Sequence, residues 1–246
     1  MNLVEYLKND LGLEAYKDGY LRRRINSRMI RRGITSEEEY LEILKKDKKE
    51  LEALKDALSI NVTSFFRNPE VWKKLRDLLE ETDEKYLKAW SAACSDGREA
   101  YSLAIICDEI GKDVEIIATD IDEDALFRAR QAVYSNISEE ISFLSDVHRY
   151  FIIDNGKSII KPEIKRKVKF LKHDIIKEKP PSKNFNLVFC RNFLIYIESE
   201  HKPVVSRHIA DSMKKGGIPV LGKTETLPIE GFFEAIDRTN KIYRRV

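Results

Sequence analysis

Two acidic residues stand where an α/β chain could use them to hold a polar ligand. The segment Cys94-Ser95-Asp96-Gly97-Arg98-Glu99 follows a strand-like run, Tyr86–Ala93, and Gly97 lets the backbone turn closely into a helix over Arg98–Ile110. Asp120 comes 23 residues after Gly97, at the end of a second β-rich run, Val114–Thr119. In a doubly wound sheet, ligands bind beyond the C-terminal ends of the strands, and an acid at the second strand end can accept hydrogen bonds from ribose hydroxyls. The same acid can instead serve as a helix N-cap, since either Asp120 or Asp122 starts the next helix.

The glycine count narrows the ligand. Gly97 is the only glycine of this loop, so the GxGxxG approach to a pyrophosphate is unsupported there, and the loop carries no Walker GKS/T run. NAD and ATP are therefore disfavoured. An adenosine ligand without a pyrophosphate remains, and S-adenosylmethionine is the obvious candidate. Two further clusters add to this. Phe189-Cys190-Arg191-Asn192 places polar residues directly after a buried-strand pattern, with Tyr196 one turn on. Asn61-Val62-Thr63-Ser64-Phe65-Phe66-Arg67 joins polar, aromatic and cationic groups. Taken singly, Arg67 and Arg191 read equally well as surface arginines and Tyr196 as a core aromatic.

The elements that must position these residues fall into two kinds. Residues 1–80 read as helices. Leu21, Ile25 and Met29 share one face of a helix that Gly33 stops, Ser36 and Glu39 have capping-box spacing, and an apolar helical period runs from Tyr40 to Leu58. From Lys85 onward strands alternate with helices, which argues for a mostly parallel sheet covered on both faces. The run ends in two strands, Phe232–Ile236 and Lys241–Val246, expected to be antiparallel. Within the alternation, Asp154-Asn155-Gly156-Lys157 predicts a hairpin turn, and residues 147–170 read as a small β excursion.

The chain resembles the chemotaxis receptor methyltransferases, the CheR family, over nearly its whole length. Four motifs in order carry the resemblance: Asn61–Arg67, Trp90–Gly97 with Glu99, Tyr101 and Ser102, Ala118–Asp122, and Phe189–Asn192 with Ile195-Tyr196. It implies a class I S-adenosylmethionine-dependent methyltransferase fold. This fold is Rossmann-like, with a mostly parallel sheet, an antiparallel last strand, a small all-α N-terminal domain and an inserted antiparallel β-subdomain. The expected boundaries are 1–68 for the helical domain, 69–84 for a linker helix and 85–246 for the methyltransferase domain, with the insertion at about 147–170. The implied activity is protein-glutamate O-methylation, with S-adenosylmethionine as donor, S-adenosylhomocysteine as product and no metal. By position, Glu99 would bind the amino group of the donor and Asp120 its ribose. Asn61, Thr63 and Arg67 would meet its methionine end, and Asp174 and Ile175 would frame adenine. Arg191, Asn192 and Tyr196 would line the methyl-transfer site, with Arg67, Arg191 and Tyr196 acting on the reaction and Gly97 shaping the donor loop. Some positions depart from the family pattern. Arg98 stands for an acid and is expected to face solvent, Ala100 replaces a proline, Asp174-Ile175 replaces a common Asn-Leu pair, and Lys223-Thr224 replaces His-Ser.

Charge refines the picture. The 246 residues carry 44 Lys+Arg and 42 Asp+Glu, a net +2, which is too little excess for a nucleic-acid coat. Yet residues 20–32 hold Arg22, Arg23, Arg24, Arg28, Arg31 and Arg32 and no acid. The bland reading is a solvated helix face. The functional one is docking of an acidic helical partner, which the resemblance makes the cytoplasmic domain of a chemoreceptor. Charges at Lys8 and Asp10 come too early for a signal peptide, and the longest apolar runs fall far short of the roughly twenty residues a membrane span needs. Three cysteines without CxxC spacing read as reduced. The expectation is a cytoplasmic monomer with no nucleic-acid partner and no membrane insertion. Two rivals stand: a non-catalytic module that binds the donor, and a methyltransferase of the same fold acting on another substrate.

Overall fold

The computed structural model describes residues 2–58, 63–142, 144–228 and 230–246. The chain forms two compact units, Met1–Ile60 with Ile195–Lys202, and Asn61–Leu194 with Pro203–Val246.

The first unit is helical. Helix α1 (Leu3–Leu11) opens on a capping box in which the Asn2 side chain accepts from the Glu5 amide and the Glu5 carboxylate from the Asn2 amide. Helix α2 (Asp18–Arg32) ends where Gly33 turns left-handed at φ 68°. Helix α3 (Glu37–Lys46) starts under the Ser36 hydroxyl, which accepts from the Glu39 amide. The apolar helical period from Tyr40 to Leu58 is carried by two helices, since α3 stops and α4 (Lys48–Leu58) restarts. Asp47 leaves the helical region at φ −105° and ψ 96°, and its carboxylate takes the Lys49 and Glu50 amides. Leu7, Leu21, Ile25, Met29, Tyr40, Leu44 and Leu54 bury into one core. The returning segment Ile195–Lys202 joins this unit through the Lys17 amide on the Tyr196 carbonyl and the Glu198 amide on the Ala15 carbonyl, both 2.9 Å.

The second unit begins with α5 (Pro69–Glu80). Read from sequence as part of a linker, α5 buries Val71, Trp72 and Leu75 in this unit's core. There follow β1 (Tyr86–Ala92), α6 (Arg98–Glu109), β2 (Asp113–Asp120), α7 (Glu123–Gln131), β3 (Val133–Ser135), α8 (Val147–Tyr150), β4 (Phe151–Asp154), β5 (Lys157–Ile160), α9 (Pro162–Lys165), β6 (Val168–Lys172), β7 (Phe185–Cys190), α10 (Lys202–Ser212), β8 (Met213–Leu221), β9 (Phe233–Asp237) and β10 (Ile242–Arg245). The seven-stranded sheet has the order β6-β2-β1-β7-β8-β10-β9. Its first five strands run parallel, and β10 is antiparallel to both β8 and β9. Sheets covered on both faces need strands that are apolar on both faces. The central strand β7 has four consecutive buried residues, Leu187, Val188, Phe189 and Cys190, as this requires. Strand order reverses at β1, with β2 on one side and β7 on the other, which makes a topological switch point.

Register puts the loops after β1, β2, β7 and β8 along one edge. Ala92 pairs with Thr119 and with Cys190, and Cys190 pairs with Leu221.

Two sequence expectations need correction. The small antiparallel sheet has the order β3-β5-β4, so it begins at Val133, before the expected 147–170 excursion. Residues 168–170, assigned to the excursion, belong instead to β6, the parallel edge strand of the main sheet, paired with β2. The Asn155-Gly156 turn joins β4 to β5 as expected, with φ 45° and 75°. Lys214–Gly217 lies within β8, where the pairing with β7 slips by a bulge.

Candidate methyl-donor site

The site is built at the C-terminal edge of β1, β2 and β7. The loop leaving β1 alternates into the left-handed region at Ala93, Ser95 and Gly97, with φ 57°, 51° and 85°. Each non-glycine residue so placed costs about 1–2 kcal/mol, so the surroundings must hold the loop. They do: the Cys94 amide bonds the Thr119 carbonyl at 2.9 Å, and the Ser95 amide bonds Asp120 Oδ2 at 2.7 Å. Gly97 is fixed twice over, by its φ and by space. A Cβ there would lie 2.8 Å from Phe170 Cζ and 2.9 Å from Ala129 Cβ.

The ambiguity between Asp120 and Asp122 is resolved by the caps. Asp122 is the N-cap of α7, taking the Asp124 and Ala125 amides. Asp120 is thereby released from capping. Its two oxygens take the Asp122 and Ser95 amides, an arrangement that aims the carboxylate and leaves further lone pairs for hydroxyl donors. Burial pushes the Asp120 carboxyl up, against the pull of those amides.

Glu99 is in the first turn of α6, beside a buried cation. Its Oε1 accepts from the Ser91 hydroxyl at 2.8 Å, and its Oε2 lies 3.5 Å from Arg191 Nη1. Burial raises the Glu99 carboxyl, with Arg191 and then Ser91 opposing. A desolvated carboxylate with one hydroxyl and one distant guanidinium is under-compensated, and a ligand ammonium would supply the missing charge. Only 2% of the Arg191 side chain is exposed, and burial lowers its proton affinity. Its Nη2 donates to the Arg67 carbonyl at 2.9 Å and to Asn68 Oδ1 at 3.0 Å, and the guanidinium stands 5.8 Å over the Trp72 ring. Arg191 Nε is buried without a partner. The Arg67 charge is near enough to lower the Arg191 proton affinity further.

The remaining predicted residues divide. Asn192 turns left-handed at φ 61°, and its amide donates to Glu225 Oε2 at 2.7 Å. Thr63 gives its carbonyl to Arg98 Nη1 at 3.1 Å. Ile175 is buried, and its carbonyl meets His208 Nδ1. The Asp174 carboxylate takes the Ile176 and Lys177 amides of its own turn. Asn61 lies outside the described residues. Tyr196 belongs to the first unit, its ring 4.6 Å from that of Tyr20.

Several site residues escaped sequence reasoning. Ser91 and Ser95 lay inside the Trp90–Gly97 motif but were given no role of their own. Glu225 is 1% exposed, and its Oε2 accepts from both the Asn192 and Gly222 amides, tying the ends of β7 and β8 together. The Gly222–Glu225 motif was its only signal. Arg98, expected to face solvent, is mostly covered. It pairs with Glu140 at 3.1 Å and Asp96 at 3.3 Å and lies 5.2 Å from the Tyr134 ring.

In the first unit the arginines of α2 also divide. Arg28 makes a bidentate pair with Glu50, Nε to Oε1 and Nη2 to Oε2 at 2.8 Å each, and Arg32 Nη1 reaches Oε2 at 2.6 Å. These two guanidiniums serve the helical core, not a free docking face. Arg24 packs on the Tyr20 ring at 5.5 Å, as does Arg23 at 6.0 Å. Arg22 lies 3.7 Å from Glu37. Arg23 and Arg31, with Asn26, Ser27 and the exposed Ile30, line an open concavity.

Comparison with known families decides the identity of this arrangement. Residues 61–242 match the CheR methyltransferase SAM binding domain, and residues 3–59 match the CheR methyltransferase all-alpha domain. The chain belongs to the CheR methyltransferase family. It is 34% identical to a chemotaxis protein methyltransferase of Listeria monocytogenes over 230 residues, covering 90% of this chain and 87% of that one. Identity to the chemotaxis protein methyltransferase of Listeria innocua is 36% over 232 residues, with the same coverage. Chemotaxis protein methyltransferase 1 of Pseudomonas aeruginosa is 32% identical over 220 residues, covering 83% and 80%. As a CheR methyltransferase with a SAM binding domain, the chain is an S-adenosylmethionine-dependent enzyme. A partly buried carboxylate at Glu99 and an Asp120 carboxylate not used as a helix cap are chemically suited to an ammonium and to hydroxyl donors, groups that such a donor carries. Among the described residues no helix is long and apolar enough to cross a membrane.

Proposed function

We propose that this CheR methyltransferase esterifies specific glutamate side chains in the cytoplasmic helices of a chemoreceptor. The observation that carries the donor half is the pair of partly buried carboxylates, Glu99 and Asp120, after neighbouring strands of the switch point, with Arg191 beside the first. Family membership supports the acceptor half.

S-adenosylmethionine, when bound, supplies a methyl group activated by its sulfonium. Glu99 would hold the ammonium and Asp120 the ribose hydroxyls. The acceptor needs little activation, because a glutamate with an ordinary pKa of about 4.3 is already ionised at neutral pH. The task of the protein is orientation and exclusion of water, effects worth several kcal/mol of the barrier. Arg191 is spent on Arg67, Asn68 and Glu99, so it fixes the wall of the site and cannot grip the acceptor with full strength. A cation held this way orients without quenching the nucleophile. The charge of Arg67 is near that of Arg191, and the two together make this wall of the site positive toward an incoming carboxylate. The role of Tyr196 toward the acceptor rests on the family resemblance alone.

Exposed arginines of α2, Arg22, Arg23 and Arg31, would steer an acidic helical partner. The test is radiolabelled methyl transfer to a receptor cytoplasmic fragment by the wild type and by Glu99→Gln. Transfer by the wild type alone supports the reading; equal transfer by both removes Glu99 from the donor site.

A further inference from the structure

We propose that Arg98 and Glu140 are positioning residues of the donor site: together they clasp the backbone of residues 63–66 and hold it as one wall. The inference rests on the reading of Glu99 and Asp120 as the donor-holding pair.

Residues 63–68 have no helix or strand to satisfy their backbone, and Phe66 and Asn68 are left-handed at φ 49° and 60°. Such a segment keeps one conformation only if side chains bond it. Four do. Arg98 Nη1 donates to the Thr63 carbonyl at 3.1 Å, and Glu140 Oε2 accepts from the Phe65 amide at 2.7 Å. The Ser102 hydroxyl accepts from the Phe66 amide at 3.0 Å, and Arg191 takes the Arg67 carbonyl. The far end of the segment therefore hangs on Arg98 and Glu140, and the near end on Arg191, which also faces Glu99. The same guanidinium that bonds Thr63 pairs with Glu140 Oε1 at 3.1 Å, so each clasp residue holds the other in place.

The clasp also joins the inserted sheet to the site. Glu140 lies in the stretch that follows β3, and Tyr134 of β3 donates its hydroxyl to the Asp96 carbonyl at 2.7 Å. Phe65 stands edge-on to Tyr134 and Phe151, with centroids 5.0 and 5.4 Å away. Opening the clasp leaves the Glu99–Arg191 contact intact but loosens residues 63–66. The cost should then fall on donor affinity and spare the chemical step.

The test is titration of S-adenosylhomocysteine into full-length protein, with steady-state transfer to a receptor fragment. Arg98→Ala and Glu140→Ala should each raise Kd and donor KM about tenfold, about 1.4 kcal/mol, with kcat within about threefold. The double variant should lose little more than either single one, because the pair acts as a unit. Arg98→Lys should recover most of the affinity. Glu140→Gln, which keeps an acceptor for the Phe65 amide, should lose less than Glu140→Ala. Hydrogen exchange should rise in residues 63–68 and stay unchanged in β1 and β2. Single variants within about twofold of wild type, or a double variant whose loss is the product of the single losses, would overturn the clasp. Glu99→Gln separates the two claims. If it binds S-adenosylhomocysteine normally, the donor-site reading fails. If it does not bind and Arg98→Ala binds normally, only the clasp fails.

Discussion

Replacing Glu50 with Gln should unlock the helical unit and flatten its response to acid. Glu50 is 2% exposed on α4 and is the hub of a cluster. It accepts two hydrogen bonds from Arg28, one from Arg32 and one from the Tyr40 hydroxyl at 2.7 Å. The Arg28 bonds, and after them Tyr40 and Arg32, overcome the cost of burial and hold its carboxyl down, to about 2 from 4.5. At about 1.4 kcal/mol per tenfold change in proton affinity, this corresponds to about 3 kcal/mol of stability at neutral pH. A carboxyl depressed in the folded state contributes fully above its unfolded pKa and loses that contribution as pH falls. The wild-type unit should therefore weaken between about pH 4.5 and 2. Glu50→Gln keeps one acceptor oxygen but no charge, so it should cost about 3 kcal/mol at pH 7, within the range for breaking a buried pair. The variant should show little further loss in acid. Hydrogen exchange in α2 and α4 across this pH range reads the effect. Both tryptophans, Trp72 and Trp90, lie in the second unit, so their fluorescence is an internal control. Equal exchange in wild type and variant at pH 7, or parallel acid profiles, would refute the reasoning.

Gly97→Ala should destabilise the second unit by about 2–4 kcal/mol, the sum of a left-handed alanine and overpacking against Phe170 and Ala129, read by denaturation with tryptophan fluorescence. Binding of S-adenosylhomocysteine should release protons at mildly acidic pH, because burial raises the free Glu99 carboxyl and a ligand ammonium lowers it again. Calorimetry in buffers of different ionisation heat measures this, and affinity should fall on further acidification. Reversing Arg22, Arg23 and Arg31 to Glu should lower kcat/KM toward an acidic receptor fragment about tenfold and blunt its salt dependence, with S-adenosylhomocysteine affinity unchanged.

The acids proposed to hold the donor were legible because their chemistry is tied to local grammar. A strand, a glycine turn and an acid at the next strand end have few meanings together, and the Asp122 cap removed the competing one. The fold class was legible for the same reason, through alternation of strands and helices. The small sheet was not, since a three-residue strand such as Val133–Ser135 has no period to read. Val168–Lys172 has the composition of any β run, and only its pairing with β2 shows which sheet owns it. Long-range polar partners were equally hidden. Arg98 and Glu140 are 42 positions apart, and Asn192 and Glu225 are 33 apart. No sequence period links such pairs. The arginine run of α2 was visible as charge, but its division between Glu50 and solvent depends on a buried acid on another helix.

Alkaline treatment of the methylated receptor fragment tests the central claim most directly. A methyl ester on a glutamate side chain is hydrolysed by base, so label transferred by the wild-type enzyme should be released as methanol and should map to glutamate residues before treatment. Glu99→Gln and Asp120→Asn should transfer little label under the same conditions. Label that survives base, or that maps to nitrogen or sulfur side chains, would contradict glutamate esterification.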